Sequence, residues 1–111
     1  MATAYKILGQ VATATLGATT EGTLYTSTGV ESVVSSLVIC NQAASAATYR
    51  IAVRVAGATL AASQYIAYDV SLPANASDTL TLGITLGATD VITVYASSAT
   101  MSFAAFGSEI S

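Results

Sequence analysis

The stretch Tyr49-Arg-Ile-Ala-Val-Arg-Val55 decides the fold class of this chain, because its apolar side chains recur at every second position. Successive side chains of a β-strand point to opposite faces, so a period of two places the apolar residues of such a stretch on one face. The same alternation occurs in residues 33–40 and 79–86. The chain is therefore predicted to be all-β.

Eight short antiparallel strands are predicted, separated by segments that contain Gly, Asn, Asp, Pro or Ser, the residues typical of turns. The Ala-rich residues 56–62 favour a short helical turn between two of these strands. Eight strands with regular turns predict a two-sheet β-sandwich of jelly-roll-like topology, and a closed barrel is the alternative. The predicted strands are 4–11, 22–27, 31–41, 47–56, 65–72, 79–86, 90–97 and 100–107.

The length of 111 residues fits one domain, so residues 1–111 are predicted to form a single β-sandwich. The small, polar residues 12–23 offer little to bury. They form either a long loop or part of an extended N-terminal arm (residues 1–22) that reaches a neighbour. The predicted strand 31–41 is apolar on more than one face, which indicates cover on both sides, by a neighbouring subunit in one interpretation.

Charge is scarce: 8% of the residues are charged, against about 25% in an ordinary soluble domain. The net charge is −3, with only three basic residues. Three cations are too few for a nucleic-acid footprint or a polybasic membrane patch, so neither partner is expected. We find no apolar run long enough for a membrane-spanning helix and expect no secretion signal.

Catalytic groups are equally scarce, since the chain has no His and one Cys. No Ser–His–Asp or Cys–His arrangement can form, and Cys40 alone cannot hold zinc, so we expect no enzyme, metal or cofactor. Cys40 is predicted to be a buried, inert thiol. Asp69, Asp78 and Asp90 offer a pair of acid–base carboxylates, and Asn75, Asp78 and Asp90 offer a calcium site. Turn-forming roles for these carboxylates are the simpler alternative.

Four residues are candidates for a partner interface. Arg50 and Arg54 share one face of a predicted strand and either bind acidic groups of a partner or pair with a carboxylate such as Asp69. Tyr65 and Tyr68 differ in parity and are predicted to face opposite sides of their strand, which leaves one of them available to a neighbour or a sugar ring.

Five stretches together resemble the head-decoration and tail-associated β-sandwich modules of tailed bacteriophages. They carry sheet and turn signatures and no catalytic motif, and the resemblance spans roughly residues 23–107. The stretches are Thr23-Leu-Tyr-Thr26, Val33-Val-Ser-Ser-Leu-Val-Ile-Cys-Asn41, Ala47-Thr-Tyr-Arg-Ile-Ala-Val53, Leu82-Gly-Ile-Thr-Leu-Gly-Ala-Thr-Asp-Val-Ile-Thr-Val-Tyr95 and Phe103-Ala-Ala-Phe-Gly107.

This resemblance implies a structural virion protein, assembled in the host cytoplasm, whose main role is that of a capsid decoration or cement protein. Its implied partners are other virion proteins, chiefly the major capsid protein, together with further copies of itself as a homo-oligomer such as a trimer. A tail, neck or fibre-associated structural module and a host-glycan-binding module are the alternatives. The resemblance transfers no functional residue to this chain.

Overall fold

The computed structural model describes residues 3–12, 17, 19–27, 29, 31–81 and 83–110 of the chain. Over these residues the chain forms nine strands and two 3₁₀ turns, and none of its helical turns is long or apolar enough to cross a membrane. The turns are Val55–Gly57 and Ala62–Gln64. The strands are β1 (Thr3–Ala12), β2 (Gly22–Thr26), β3 (Glu31–Asn41), β4 (Ala47–Arg54), β5 (Tyr65–Leu72), β6 (Ser77–Leu80), β7 (Ile84–Leu86), β8 (Val91–Ala96) and β9 (Met101–Ile110).

The strands form two antiparallel sheets. Sheet A has the order β1-β9-β3-β6, with β7 also paired to β3, and sheet B has the order β2-β8-β4-β5. Because β6 and β7 pair with successive parts of β3, they act as one interrupted strand. The pairing is then nested: first strand with last, second with second-last, and so inward, which is the winding of a jelly roll. The predicted all-β jelly-roll sandwich is confirmed, and the closed barrel is not the arrangement found.

Two predicted strands differ from those observed. The predicted strand 79–86 is divided, because Gly83 between β6 and β7 adopts a positive φ of 63° that an extended strand does not allow. The strand predicted at 47–56 ends at Arg54, and Val55 begins a 3₁₀ turn in which it is largely exposed rather than part of the core. The short helical turn predicted in residues 56–62 is found as two 3₁₀ turns, which overlap the two ends of that segment.

The N-terminal residues 3–12 belong to the sandwich, since β1 pairs with β9 along the edge of sheet A. Residues 3–12 therefore do not form an extended arm. The long loop or arm was also predicted to include residues 1, 2, 13–16 and 18, which lie outside the described residues. Gly9 brings this edge against the second sheet, because a Cβ at Gly9 would overlap the backbone carbonyl of Leu24.

The core lies between the two sheets and is built from the alternating residues that the sequence singled out. Leu37 and Ile39 of β3 are buried, as are Tyr49 and Ile51 of β4. The ring of Tyr49 meets the ring of Phe103 edge to face, with centroids 6.4 Å apart. Burial of these side chains is the main source of stability, at about 25 cal/mol per Å² of apolar surface.

Polar side chains also connect the two sheets. The buried hydroxyl of Tyr49, in sheet B, donates a hydrogen bond of 3.0 Å to Asp78 of sheet A. At another point Tyr25 of β2 lies 2.7 Å from the Ser32 hydroxyl and donates to Glu109 at 2.5 Å. Glu109 in turn pairs with Lys6 at 2.6 Å. These contacts give the buried hydroxyl groups the partners that burial requires.

Tyr49 is expected to make the protein sensitive to alkali. Burial, followed by hydrogen bonding to Asp78, raises the pKa of Tyr49 to about 12, against about 10 for an unfolded tyrosine. Below pH 10 both states keep the proton, so the stabilisation is fully present. Between pH 10 and 12 only the unfolded chain ionises, and the free energy of unfolding falls.

In the Tyr49→Phe variant, the free energy of unfolding is expected to fall less steeply between pH 10 and 12. At neutral pH the variant is expected to be about 1 kcal/mol less stable, because the hydrogen bond to Asp78 is missing. Urea unfolding from pH 8 to 12 measures both effects, with Tyr5→Phe at an exposed position as the control. Tyr25, whose pKa is also raised, chiefly by burial, accounts for part of the remaining fall. Identical alkaline slopes in wild type and Tyr49→Phe would contradict this assignment.

Candidate partner interface

Three of the four residues predicted for a partner interface meet on the outer face of sheet B. The guanidinium carbon of Arg50 lies 4.2 Å from the ring centroid of Tyr68, and the rings of Tyr65 and Tyr68 meet edge to face at 4.9 Å. Arg54, the fourth residue, lies on the same strand as Arg50 but contacts a different part of the chain. The predicted set is thus a cluster of three residues and a separate arginine.

Arg50 is held from several sides. Its Nε donates to Oδ1 of Asp69 at 2.6 Å and its Nη2 donates to Oδ2 at 3.2 Å, while the ring of Tyr95 covers the guanidinium at 4.3 Å. The hydrogen bonds to Asp69 raise the pKa of Arg50, and Arg50 lowers the pKa of Asp69. Of the two alternatives predicted for Arg50, acidic groups of a partner or a carboxylate of its own chain, the structure shows the pair with Asp69. An exposed pair of this kind adds little to stability.

Tyr65 and Tyr68 lie together, which corrects the prediction that they face opposite sides of the strand. Between Ile51 and Ala52 of β4 the pairing moves from Ala67 to Tyr65, so β5 carries an extra residue between the two tyrosines. A second extra residue lies between Ala67 and Val70, where Asp69 has a φ of 50°. An extra residue reverses the alternation of side chains, so a parity rule that assumes a regular strand fails.

Arg54 bonds to its own chain. Its Nε donates to the carbonyl of Ala58 at 2.7 Å and its Nη2 donates to the carbonyl of Gly57 at 2.8 Å. These bonds hold the turn that follows β4 against the end of the strand. The Arg54 guanidinium thus has a local structural role, and a role for it in partner binding stays a prediction.

The carboxylates considered for acid–base or calcium chemistry lie in separate environments. Asp90 accepts hydrogen bonds from the amides of Gly87 and Ala56, each at 2.9 Å, which is the turn role expected for it. Asp78 accepts from Tyr49, and Asp69 pairs with Arg50. In the part of the chain that the structure describes, no three His, Cys, Asp or Glu side chains are grouped closely enough to hold a metal ion.

A groove of about 720 Å³ lies beside the tyrosine pair. Glu21, just before β2, lines it together with residues 59–62 and with Tyr65 and Tyr68 of β5. Since β2 and β5 are the two edge strands of sheet B, the groove joins opposite edges of that sheet. Sequence reasoning missed Glu21, because nothing in its local sequence relates it to residues more than forty positions later.

The outer face of sheet A has a different character, since it is nearly uncharged and carries exposed apolar side chains among Ser and Thr residues such as Thr79, Thr85, Ser102 and Ser108. Tyr5 and Ile7 of the edge strand β1 are 86% and 53% exposed. Cys40 also lies on this face and is partly exposed, which corrects its prediction as a buried thiol. Glu31, at one end, is the only charged side chain among the described residues of this face. Further apolar residues that the face leaves partly exposed are Val33, Val38, Ala104, Phe106 and Ile110.

The sequence contained one signal for this face, because the predicted strand 31–41 is apolar on both sides. An antiparallel sheet with one face in water usually alternates apolar and polar residues, whereas β3 places Val33 and Val38 outward. Tyr5 and Ile7 were missed as interface candidates, because their exposure follows from the edge position of β1.

By its strand order and its two exposed sheet faces, the protein is an all-β domain of the jelly-roll type. No family model and no curated protein matches the chain. Among solved structures, it is similar to part of a chain in the structure of infectious bursal disease virus Gx strain, with 14% identity and a TM-score of 0.48. The match covers 97% of this chain and 29% of the viral chain.

Proposed function

We propose that the protein is a structural virion protein of a tailed bacteriophage that decorates the assembled capsid and stabilises it. The observation that carries this proposal is the group of apolar side chains on the nearly uncharged outer face of sheet A, with Tyr5 and Ile7 the most exposed. Apolar patches of this kind on a soluble protein mark surfaces that another protein covers. The scarcity of charge and of catalytic groups fits a role in association.

The size of this face suits a protein interface. Strands β1, β3 and β9 contain ten or eleven residues each, which corresponds to a length of about 33 Å. Four strands span roughly 15–20 Å, so the face offers on the order of 600 Å². A stable interface buries about 800 Å² per partner, so neighbouring loops supply the remainder.

The proposed occupant of this face is the shell protein. Small contacts repeated over many copies bind a particle tightly through avidity. A homo-oligomer such as a trimer would suit the closed symmetry positions of a shell. Analytical ultracentrifugation of the purified chain distinguishes the occupants: an oligomeric state that Tyr5→Ser leaves unchanged agrees with a shell partner for this face, whereas an oligomer that Tyr5→Ser disrupts would assign the face to a second copy.

Copy number tests the proposed function itself. Quantitative mass spectrometry of purified particles is expected to find the chain at a copy number comparable to that of the major capsid protein. A few copies per particle would favour the alternative of a tail, neck or fibre-associated module. Absence of the chain from purified particles would contradict a virion role.

The double variant Tyr5→Ser/Ile7→Ser is expected to bind chain-free particles at least tenfold more weakly, because exposed aromatic residues are frequent hot spots of interfaces. Its melting temperature is expected to change little, since both side chains are exposed. Ile66→Ser is the matched control, as Ile66 is a 46%-exposed apolar residue of sheet B. Equal loss of binding in both variants would show that sheet A does not carry the contact.

A further inference from the structure

The groove on sheet B differs from the nearly uncharged outer face of sheet A because it combines a carboxylate with two aromatic rings. We propose that this groove binds a basic side chain, Lys or Arg, presented by a partner protein. Glu21 would pair with the cation, and Tyr65 and Tyr68 would contact it or its aliphatic stem. This site lies on the other sheet and goes beyond the proposed capsid-binding face.

The charge distribution of the chain supports a cationic occupant. All three basic side chains are engaged internally: Lys6 with Glu109, Arg50 with Asp69, and Arg54 with two backbone carbonyls. Asp78 and Asp90 accept hydrogen bonds from Tyr49 and from backbone amides. Over the described residues, exposed Glu21 has no cation beside it. The groove therefore holds a negative charge that a partner can neutralise.

The tyrosines suit the same occupant. Tyr68 already has one cation, Arg50, 4.2 Å from its ring centroid, and it is still 57% exposed. Cations bind favourably over the faces of aromatic rings. The charge of Arg50 is balanced by Asp69, with which it makes two hydrogen bonds, so the pair adds little repulsion against an incoming cation.

The remaining walls fit the methylene stem of a long basic side chain. Leu60, Ala61 and Ala62 supply apolar surface, and Lys or Arg side chains bury such stems while the charged head meets a polar group. A volume of about 720 Å³ lies within the range of ligand-binding clefts. A sugar ring could use the same tyrosines, but the unneutralised carboxylate favours a cation.

The test uses the full chain and a small probe. The peptide acetyl-Gly-Arg-Gly-amide is titrated into ¹⁵N-labelled protein, and its citrulline counterpart, which lacks the charge, is titrated in parallel. We expect saturable chemical-shift changes at the amides of Glu21, Leu60, Tyr65 and Tyr68 with the arginine peptide, and about tenfold weaker binding of the citrulline peptide, equivalent to 1.4 kcal/mol.

Matched charge variants complete the test. Glu21→Gln is expected to weaken binding of the arginine peptide about tenfold, whereas Glu31→Gln, which removes an equal exposed charge outside the groove, is expected to leave it unchanged. Equal binding of both peptides, equal effects of both variants, or no localised shifts would overturn the proposal. Shifts of the same amides only with purified host surface polysaccharide would also overturn it, in favour of a glycan site. None of these outcomes depends on whether the chain decorates a capsid.

Discussion

Gly107→Ala is expected to destabilise the protein by about 3 kcal/mol or more, the upper end of the range for overpacked sites. Gly107 of β9 lies opposite a bulge in β3, where the pairing shifts between Val34 and Ser36. A Cβ on Gly107 would overlap the backbone carbonyl of Val33. Backbone atoms cannot rotate away as a flexible side chain can, so the two central strands of sheet A must separate.

Urea unfolding monitored by circular dichroism measures this loss, with Gly87→Ala as the control. Gly87 has no positive φ, and a Cβ there would meet its nearest neighbour, an oxygen of Asp90, at an ordinary 3.5 Å. The control is therefore expected to change stability by less than about 0.5 kcal/mol. If Gly107→Ala is as stable as Gly87→Ala, the close approach of β3 and β9 at this point is wrong.

Leu37→Ala is expected to cost about 2–5 kcal/mol, because it removes a fully buried side chain and leaves a cavity between the sheets. Leu37 is 1% exposed in the middle of β3. For a domain of this size such a loss corresponds to a decrease in melting temperature of about 10 °C or more. Differential scanning calorimetry measures it directly.

The neighbouring residue supplies the control for this variant. Val38 follows Leu37 on the same strand but points to the outer face of sheet A, where it is only partly buried. Val38→Ala is therefore expected to lower stability by less than about 1 kcal/mol. A change in melting temperature below one degree for Leu37→Ala would mean that the assignment of the inner face of β3 is wrong.

The interface candidates show where prediction from sequence succeeds and where it stops. Arg50 and Tyr68 were chosen for their chemistry, and the structure brings them into contact. Their relation to Tyr65 was predicted incorrectly, because an extra residue of β5 between Tyr65 and Ala67 changes which way the side chains point. Asn41, the last residue of the predicted strand 31–41, is a further case, because it is a polar residue that the structure buries fully. Its amide nitrogen donates to the carbonyls of Ser45, Leu72 and Pro73.

The sequence alone predicts the all-β class, nearly all of the strands and most of the residues of the core. It could do so because alternation is a local property: each residue of an extended backbone points away from its neighbours, whatever the strand pairs with. The exposure of surface side chains, and which of them lie together, depend on the tertiary structure. Pairing between distant segments decides which strand lies at an edge, where a bulge reverses the alternation, and whether Glu21 lies near Tyr65. No local pattern encodes that pairing.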